Sequence, residues 1–500
     1  MRLNTHISLY SYGTLVIVMR HSTFLFIIIL TLLIKGTCAV EASSLPEFGD
    51  PFRADFPIEK EHLLGNALMQ QLYASDCLVS DPIINEYLQN LGTKLSQQAN
   101  IKDYKLHFFG IEAEALNAFA FFGGHVAVHT GLIQSVKNES ELAAVLAHET
   151  AHISQRHLLR MVANNRRLTP LTLAQILAAT AVGVMGSADA GAHLTVAALA
   201  GHVQQLINYT REHEKEADSM GIQILAKAGF DPNAMATVFE GLHQSTLYHA
   251  KLPEYLRTHP LDESRIAAAQ NRAEQLPYKQ TKDSLFFHLI RARLELYRKE
   301  RDIERVRRLK EKLTSGKYQN KMTALYAYAL ALAKNRQYQE AIQILKELEP
   351  TEQSPNQWII SLSLAEVEQE SGNTQAALKR LKYLFESYPN NYPIIIKYAE
   401  NLVEAKQGIE ARTLLLKHQK YHSEVPEIYQ LLARAQSLTG HKVELHQSQA
   451  EWHYLRGEFK DSFQQLDLAL EQVKENSVMA HKIKTRKRAL QKISHLQGEL

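Results

Sequence analysis

The chain has 500 residues, with 56 lysines and arginines against 53 aspartates and glutamates, for a formal net charge of +3. That near-neutral balance gives no basis for nucleic-acid binding, and the length leaves room for two or three domains with substantial cores. Helix formers predominate while Gly (22) and Pro (14) are sparse, which predicts an α+β, mostly α-helical protein.

At the start, Arg20-His21 precede an apolar run from Phe24 to Ile34, and small residues follow around Ala39 to Ser44. A basic start, a short apolar core and a small-residue site are the parts of a secretory signal peptide, here residues 1–42 with cleavage after Ala39 or Ala42. The run is short for a membrane span. An uncleaved anchor and a true start at Met19 are the alternatives, while a lipoprotein site at Cys38 is disfavoured by Lys35, where an apolar residue is wanted. Cleavage would leave Cys77 as the lone cysteine, so an intramolecular disulfide is not how an exported form is stabilised.

Further on, Gly123-Gly124 predicts a tight turn, and His125-Val126-Ala127-Val128-His129 alternates polar and apolar as a half-buried strand does. An exposed edge of such a strand can hold extended peptide through main-chain hydrogen bonds; an ordinary structural hairpin is the alternative. His125 and His129 read as strand residues rather than ligands.

The chemistry begins at His148-Glu149-Thr150-Ala151-His152, an H-E-x-x-H motif inside the apolar stretch that starts at Leu142. On a helix, positions i and i+4 share a face, so both imidazoles can bind one metal ion. Glu149 then lies beside the metal, placed to take a proton from water. Zinc suits this role because it accepts nitrogen and oxygen ligands and has no redox chemistry. A bare match occurs by chance in long proteins, and the alternative is a surface helix with two solvated histidines. The alanine- and leucine-rich flanks favour a buried helix, in which the histidines and the carboxylate need partners.

Leu168 to Leu206 is rich in Ala, Leu, Val and Thr and is broken by Gly183, Gly186 and Gly191. It reads equally as an alanine-rich hairpin over the active-site cleft and as two short apolar helices at a membrane surface. Arg211 then opens a second helix on which Glu214 and Asp218 are four apart. Glu214 is the candidate third ligand, leaving the fourth position open for water. Asp218 would accept the free N–H of a ligand histidine and fix its tautomer. Glu212 and Glu216 read as a solvated face. His259, one of 23 histidines, precedes Pro260, and by itself such a residue opens a turn.

After Leu276-Pro277 the pattern changes to helical hairpins, giving a division into residues 43–277 and 278–500. Ala341, Ala377 and Ala411 recur at spacings of 36 and 34, each just inside the second helix of a pair. Asn335 to Glu340 and Gly372 to Ala376 are the inter-helix turns, Pro350 and Pro389 close units, and Gly457-Glu458-Phe459 marks a later turn. The period resembles tetratricopeptide repeats, whose stacked pairs present a concave surface to a protein partner; a helical domain that only packs on the first part of the chain is the alternative.

H-E-x-x-H followed by Glu214-Lys215-Glu216-Ala217-Asp218 resembles the zinc metalloproteases related to the CAAX prenyl protease and the heat-shock membrane protease. Residues Leu116 to Leu132 and Thr258 to Arg265 are similar to the family as well; one small departure is Thr210, where the family often has Ser. With repeats behind it, the chain looks most like the family's exported, periplasmic members from Gram-negative bacteria. The resemblance implies a zinc-dependent endopeptidase with one Zn2+ per chain. It implies unfolded proteins and outer-membrane β-barrel proteins as substrates, with the barrel-assembly machinery met through the repeats. It also implies that His259 is an additional, gating ligand at the water position, and that the 168–206 insertion lies near the membrane. An assembly chaperone with secondary proteolysis is the alternative. A prenyl-processing enzyme buried in the membrane is disfavoured because several long spans are missing.

Overall fold

The computed structural model describes residues 56–101, 105–164, 211–248, 253–279, 281–349, 356 and 358–499. The expected signal peptide, the 168–206 stretch, Thr210 and Pro350 lie outside the described residues. Among the described residues, no helix is long and apolar enough to cross a membrane.

Helix α1 (Ile58–Ala74) and helix α2 (Pro82–Ser96) flank a small sheet. Asp81 caps α2 by accepting from the Ile83 N–H at 2.9 Å, and Pro82 occupies the first helical position, where no N–H is missed. Strands β1 (His107–Ile111), β2 (Ala118–Phe121) and β3 (His125–His129) are ordered β1-β3-β2, with β1 parallel and β2 antiparallel to β3. The β2–β3 turn uses Gly123 and Gly124 at φ 78° and 82°, conformations open to glycine at no steric cost.

The half-buried strand expected at 125–129 is instead buried along its whole length. Val126 and Val128 enter the main core with α2, while Ala127, Phe119 and Phe121 pack with Leu64, Leu68 and Leu72 of α1. Helix α1 covers the face that the polar histidines suggested was open. Being central, β3 has no free edge; the outer strands are β1, bridged at Ile111 by Leu78, and β2.

Beyond the sheet come α3 (Thr130–Ser135), α4 (Glu139–Ser154), α5 (His157–Asn164), α6 (Arg211–Lys227), α7 (Ala234–Tyr248), α8 (Glu254–Thr258) and α9 (Glu263–Glu274). Helix α4 is capped by Asn138, which accepts from the Glu141 N–H at 2.9 Å, and is buried from Glu139 to Ile153. It packs against α2, β2, α6 and α7. Gly221 permits the approach of α6: a Cβ there would sit 3.2 Å from the His148 backbone and 3.0 Å from Met235.

The helical hairpins then follow as α10 (Leu285–Leu294), a 3-10 turn at Glu295–Tyr297, α11 (Asp302–Thr314), α12 (Lys321–Lys334), α13 (Tyr338–Leu348), α14 (Trp358–Glu370), α15 (Thr374–Ser387), α16 (Tyr392–Glu404), α17 (Gly408–Gln419), α18 (Pro426–Leu438), α19 (Lys442–Leu455), α20 (Phe459–Glu471) and α21 (Val478–Glu499). Ala341, Ala377 and Ala411, each near the start of the second helix of a pair, are fully buried. The repeat also shows in the backbone, since Arg336, Gly372 and Lys406 occupy the same left-handed turn position at φ 61°, 86° and 59°.

The repeats pack back on the first part of the chain. Helix α2 touches α10 and α16, α1 touches α19 and α21, and the Gln70 amide donates to the Tyr454 carbonyl at 2.8 Å. One apolar cluster runs from Val79 to Ile394, and Asp55–Leu500 forms one compact unit. Buried Arg293 ties α10 to both sides, donating to Asp81 at 2.6 Å, Tyr326 at 2.9 Å and Ser363 at 2.7 Å.

Candidate metal centre

Helix α4 sets His148 and His152 on one face, with their Nε2 atoms 2.9 Å apart. Helix α6 brings Glu214 to the same point, with Oε2 at 3.5 Å from His148 Nε2 and Oε1 at 3.5 Å from His152 Nε2. His259, at the end of α8, adds Nδ1 at 3.4 Å from His148 Nε2 and 3.1 Å from Glu214 Oε1. All four residues are buried, and each offers one atom within 4.8 Å of the others. Four ligands at zinc's usual bond lengths, tetrahedrally placed, stand about 3.3 Å apart, so these spacings fit. Glu214 and Asp218 also share the Arg265 guanidinium.

Each sequence-derived candidate is brought to this point. Asp218 Oδ1 lies 3.0 Å from His148 Nδ1, the nitrogen facing away from the cluster. Burial works against a charge on His148, but the Asp218 and Glu214 carboxylates outweigh it and hold the imidazole up at about 9. Burial in the same dry site, reinforced by the His148 charge, pushes His152 well below the ordinary histidine range. Burial opposes charge on Glu214 as well, yet His259 and His148 beside it hold its carboxyl well below the usual range.

Glu149 is fully buried, and its Oε2 accepts from the Ala120 N–H on β2 at 3.1 Å. Its Oε1 lies 3.4 Å from His259 Nε2. Burial raises its carboxyl pKa, with His259 and His148 acting in opposition. His125 and His129 stay in β3, outside the ligand cluster.

Several participants had no role assigned from sequence. Arg265, the last residue of the Thr258–Arg265 segment, donates through Nε and Nη2 to both Asp218 oxygens at 2.8 Å. Its Nη1 reaches Glu214 Oε2 at 2.8 Å and the Pro260 carbonyl at 2.6 Å, so it anchors the turn that follows His259. Tyr255 lays its ring 4.6 Å from His259, and its N–H donates to the Leu116 carbonyl at 3.0 Å. Glu216, expected on a solvated face, is only partly so; it pairs with His157 at 3.2 Å and Arg160 at 2.9 Å. A titratable residue four or five positions from a ligand was the available signal for His157, but α4 breaks at Gln155, and helical spacing does not carry across the break.

Residues 82–273 match the family described as Peptidase family M48, and residues 369–435 match a tetratricopeptide repeat. The beta-barrel assembly-enhancing protease of Escherichia coli strain K12 is 33% identical over 442 residues, covering 88% of this chain and 90% of that protein. The putative beta-barrel assembly-enhancing protease of Vibrio cholerae is 44% identical over 250 residues, 50% of this chain and 51% of that one. The mitochondrial metalloendopeptidase OMA1 of Schizosaccharomyces pombe is 31% identical over 196 residues, 39% of this chain and 54% of that one.

Proposed function

The chain belongs to peptidase family M48 and is a metalloendopeptidase, and from that premise we propose that it is a zinc enzyme with one ion per chain. His148, His152 and Glu214 are the ligands in this reading, Asp218 orients His148, and His259 is an additional ligand that closes the site at rest. The observation that carries it is the convergence of three imidazoles and a carboxylate in a fully buried cluster, backed by a buried glutamate. Bound zinc supplies Lewis acidity toward the peptide carbonyl and toward water.

The protein's own groups handle the proton. The Ala120 N–H holds Glu149 Oε2, leaving Oε1 to take a proton from the attacking water and deliver it to the leaving amine. The raised carboxyl pKa brings Glu149 closer to the working pH, as a general base and acid requires. Substrate adds as a strand to the outer edge of β2, whose Ala120 already touches Glu149. In the closed state His259 lies against Glu149 and keeps it idle, which restrains an otherwise indiscriminate hydrolase.

The reading extends to setting and partners: an enzyme exported to the periplasm of a Gram-negative bacterium, acting on unfolded or stalled outer-membrane β-barrel proteins. The repeats from residue 278 onward engage the assembly machinery, and the protein takes part in barrel assembly as well as clearance. Support comes from the likeness to beta-barrel assembly-enhancing proteases over most of the chain and from the signal-like start. A second reading, an assembly chaperone with secondary proteolysis, draws on the extent of the repeats. Purified protein should contain one tightly held zinc, sharply reduced in His148→Ala and Glu214→Ala. Glu149→Gln should keep zinc and lose cleavage. Full zinc and activity in Glu214→Ala would show the third ligand to be misassigned. If Glu149→Gln loses clearance of a stalled barrel but still promotes its assembly, the chaperone role is separate.

A further inference from the structure

The two ligand histidines of α4 are supported in different ways. His148 Nδ1 faces a carboxylate, Asp218, at 3.0 Å. His152 Nδ1 faces another imidazole: His157 Nδ1, 2.9 Å away at the start of α5. His157 is itself fully buried. Its other nitrogen, Nε2, lies 3.2 Å from Glu216 Oε2, and the same oxygen accepts from Arg160 Nη1 at 2.9 Å. The ring also stacks on His213, with centroids 4.5 Å apart and planes 18° from parallel.

Proton order follows from these contacts. His152 turns Nε2 toward Glu214 and His148, so a neutral, metal-binding His152 carries its proton on Nδ1. That N–H needs an acceptor in a dry site, and His157 Nδ1 can serve only if its own proton is on Nε2. Glu216, an acceptor, draws that proton to Nε2 and so selects the tautomer. Arg160 keeps the carboxylate charged and in place.

We propose that His157 is the positioning residue of His152, the middle of a relay from His152 through His157 to Glu216 that selects the metal-binding tautomer and ring orientation of His152. The relay rests on His152 being a metal ligand. It also ties the centre to the chain on either side of residues 165–210, because Arg160 and His157 lie just before that stretch and Glu216 just after it.

The test separates hydrogen bonding from packing. His157→Phe keeps a flat ring to stack on His213 but offers no acceptor. His157→Asn loses the stack but places an amide oxygen near the position of Nδ1. Zinc affinity is measured by chelator competition on the full chain, and ligand geometry by the visible spectrum of cobalt-loaded protein. His157→Phe is expected to bind zinc about 10- to 100-fold more weakly, the usual effect of losing a partner behind a ligand. Its cobalt spectrum should shift, while His157→Asn recovers most of the affinity and the wild-type spectrum. Glu216→Gln, at the partly exposed end, should weaken binding less. Adding Glu216→Gln to His157→Phe should cost nothing more, because Glu216 acts through the lost ring. The relay is overturned if His157→Phe matches wild type in affinity and spectrum, or if His157→Asn is no better than His157→Phe. A wild-type protein that takes up no zinc would instead overturn the metal-centre reading, and the relay with it.

Discussion

At the scale of single residues, His259 and Arg265 divide the work of the segment that follows α8. Arg265 holds both Asp218 oxygens, Glu214 and the Pro260 carbonyl, so the turn after His259 is anchored while the imidazole itself lies between Glu214 and Glu149. Two roles for His259 predict opposite outcomes for one substitution. If it closes the site, His259→Ala raises basal cleavage of an unfolded protein substrate. If it donates to the developing oxyanion, the same change slows turnover by roughly two to three powers of ten. The closing role is expected, because His259 Nδ1 lies among the ligand atoms while its Nε2 covers Glu149 Oε1. Steady-state turnover of His259→Ala decides the matter, and a hundredfold fall would rule the gate out.

At the scale of elements, the sheet matters most because it supplies both the Ala120 contact to Glu149 and the β2 edge. Its central strand carries two histidines in a dry environment. Burial pushes His125 down to about 3 and His129 down to about 4. A histidine whose pKa is lower folded than unfolded takes up its proton more readily when unfolded. Stability is therefore full above the unfolded pKa of about 6.5 and is lost as pH falls toward the folded value. His125 is stacked on Phe121, with centroids 5.0 Å apart, so His125→Phe keeps the contact and removes the proton site. In chelator-treated protein, His125→Phe should abolish roughly 2 kcal/mol of the stability lost between pH 6.5 and 4.5. Denaturant midpoints at the two pH values measure this, and an unchanged acid sensitivity would refute it.

At the scale of the molecule, the motif boundary near Pro277 is crossed by the main core and by polar ties. Glu139, at the start of α4, accepts from the Ser284 N–H and hydroxyl, each at 2.7 Å. Phe286 packs edge-on to Trp358 at 5.8 Å and to Tyr87 at 5.1 Å. Arg293 is buried between Asp81, Tyr326 and Ser363. Arg293→Ala would leave Asp81 without its cation and should cost about 3–5 kcal/mol. The protein is expected to unfold in one transition that moves together in wild type and in Arg293→Ala, read by calorimetry. Two separate transitions, only one of them shifted, would mean that the halves fold independently. A truncation at residue 277 would expose this core, so partner binding by the repeats is better examined with surface substitutions in the full chain.

The sequence by itself determined whatever depends on local spacing. H-E-x-x-H and E-x-x-A-D each place their side chains on one helical face, so His148, His152, Glu214 and Asp218 were legible before any packing was known. The alanine period of the repeats was legible for the same reason. Tertiary structure decided the contacts made across elements. It buried β3 under α1, set Ala120 against Glu149 and put Arg265 between Asp218 and Glu214. It also turned Glu216 from a surface charge into the anchor of a buried imidazole. Those partners lie tens of residues apart or across a helix break, and no periodicity in the chain records which faces meet.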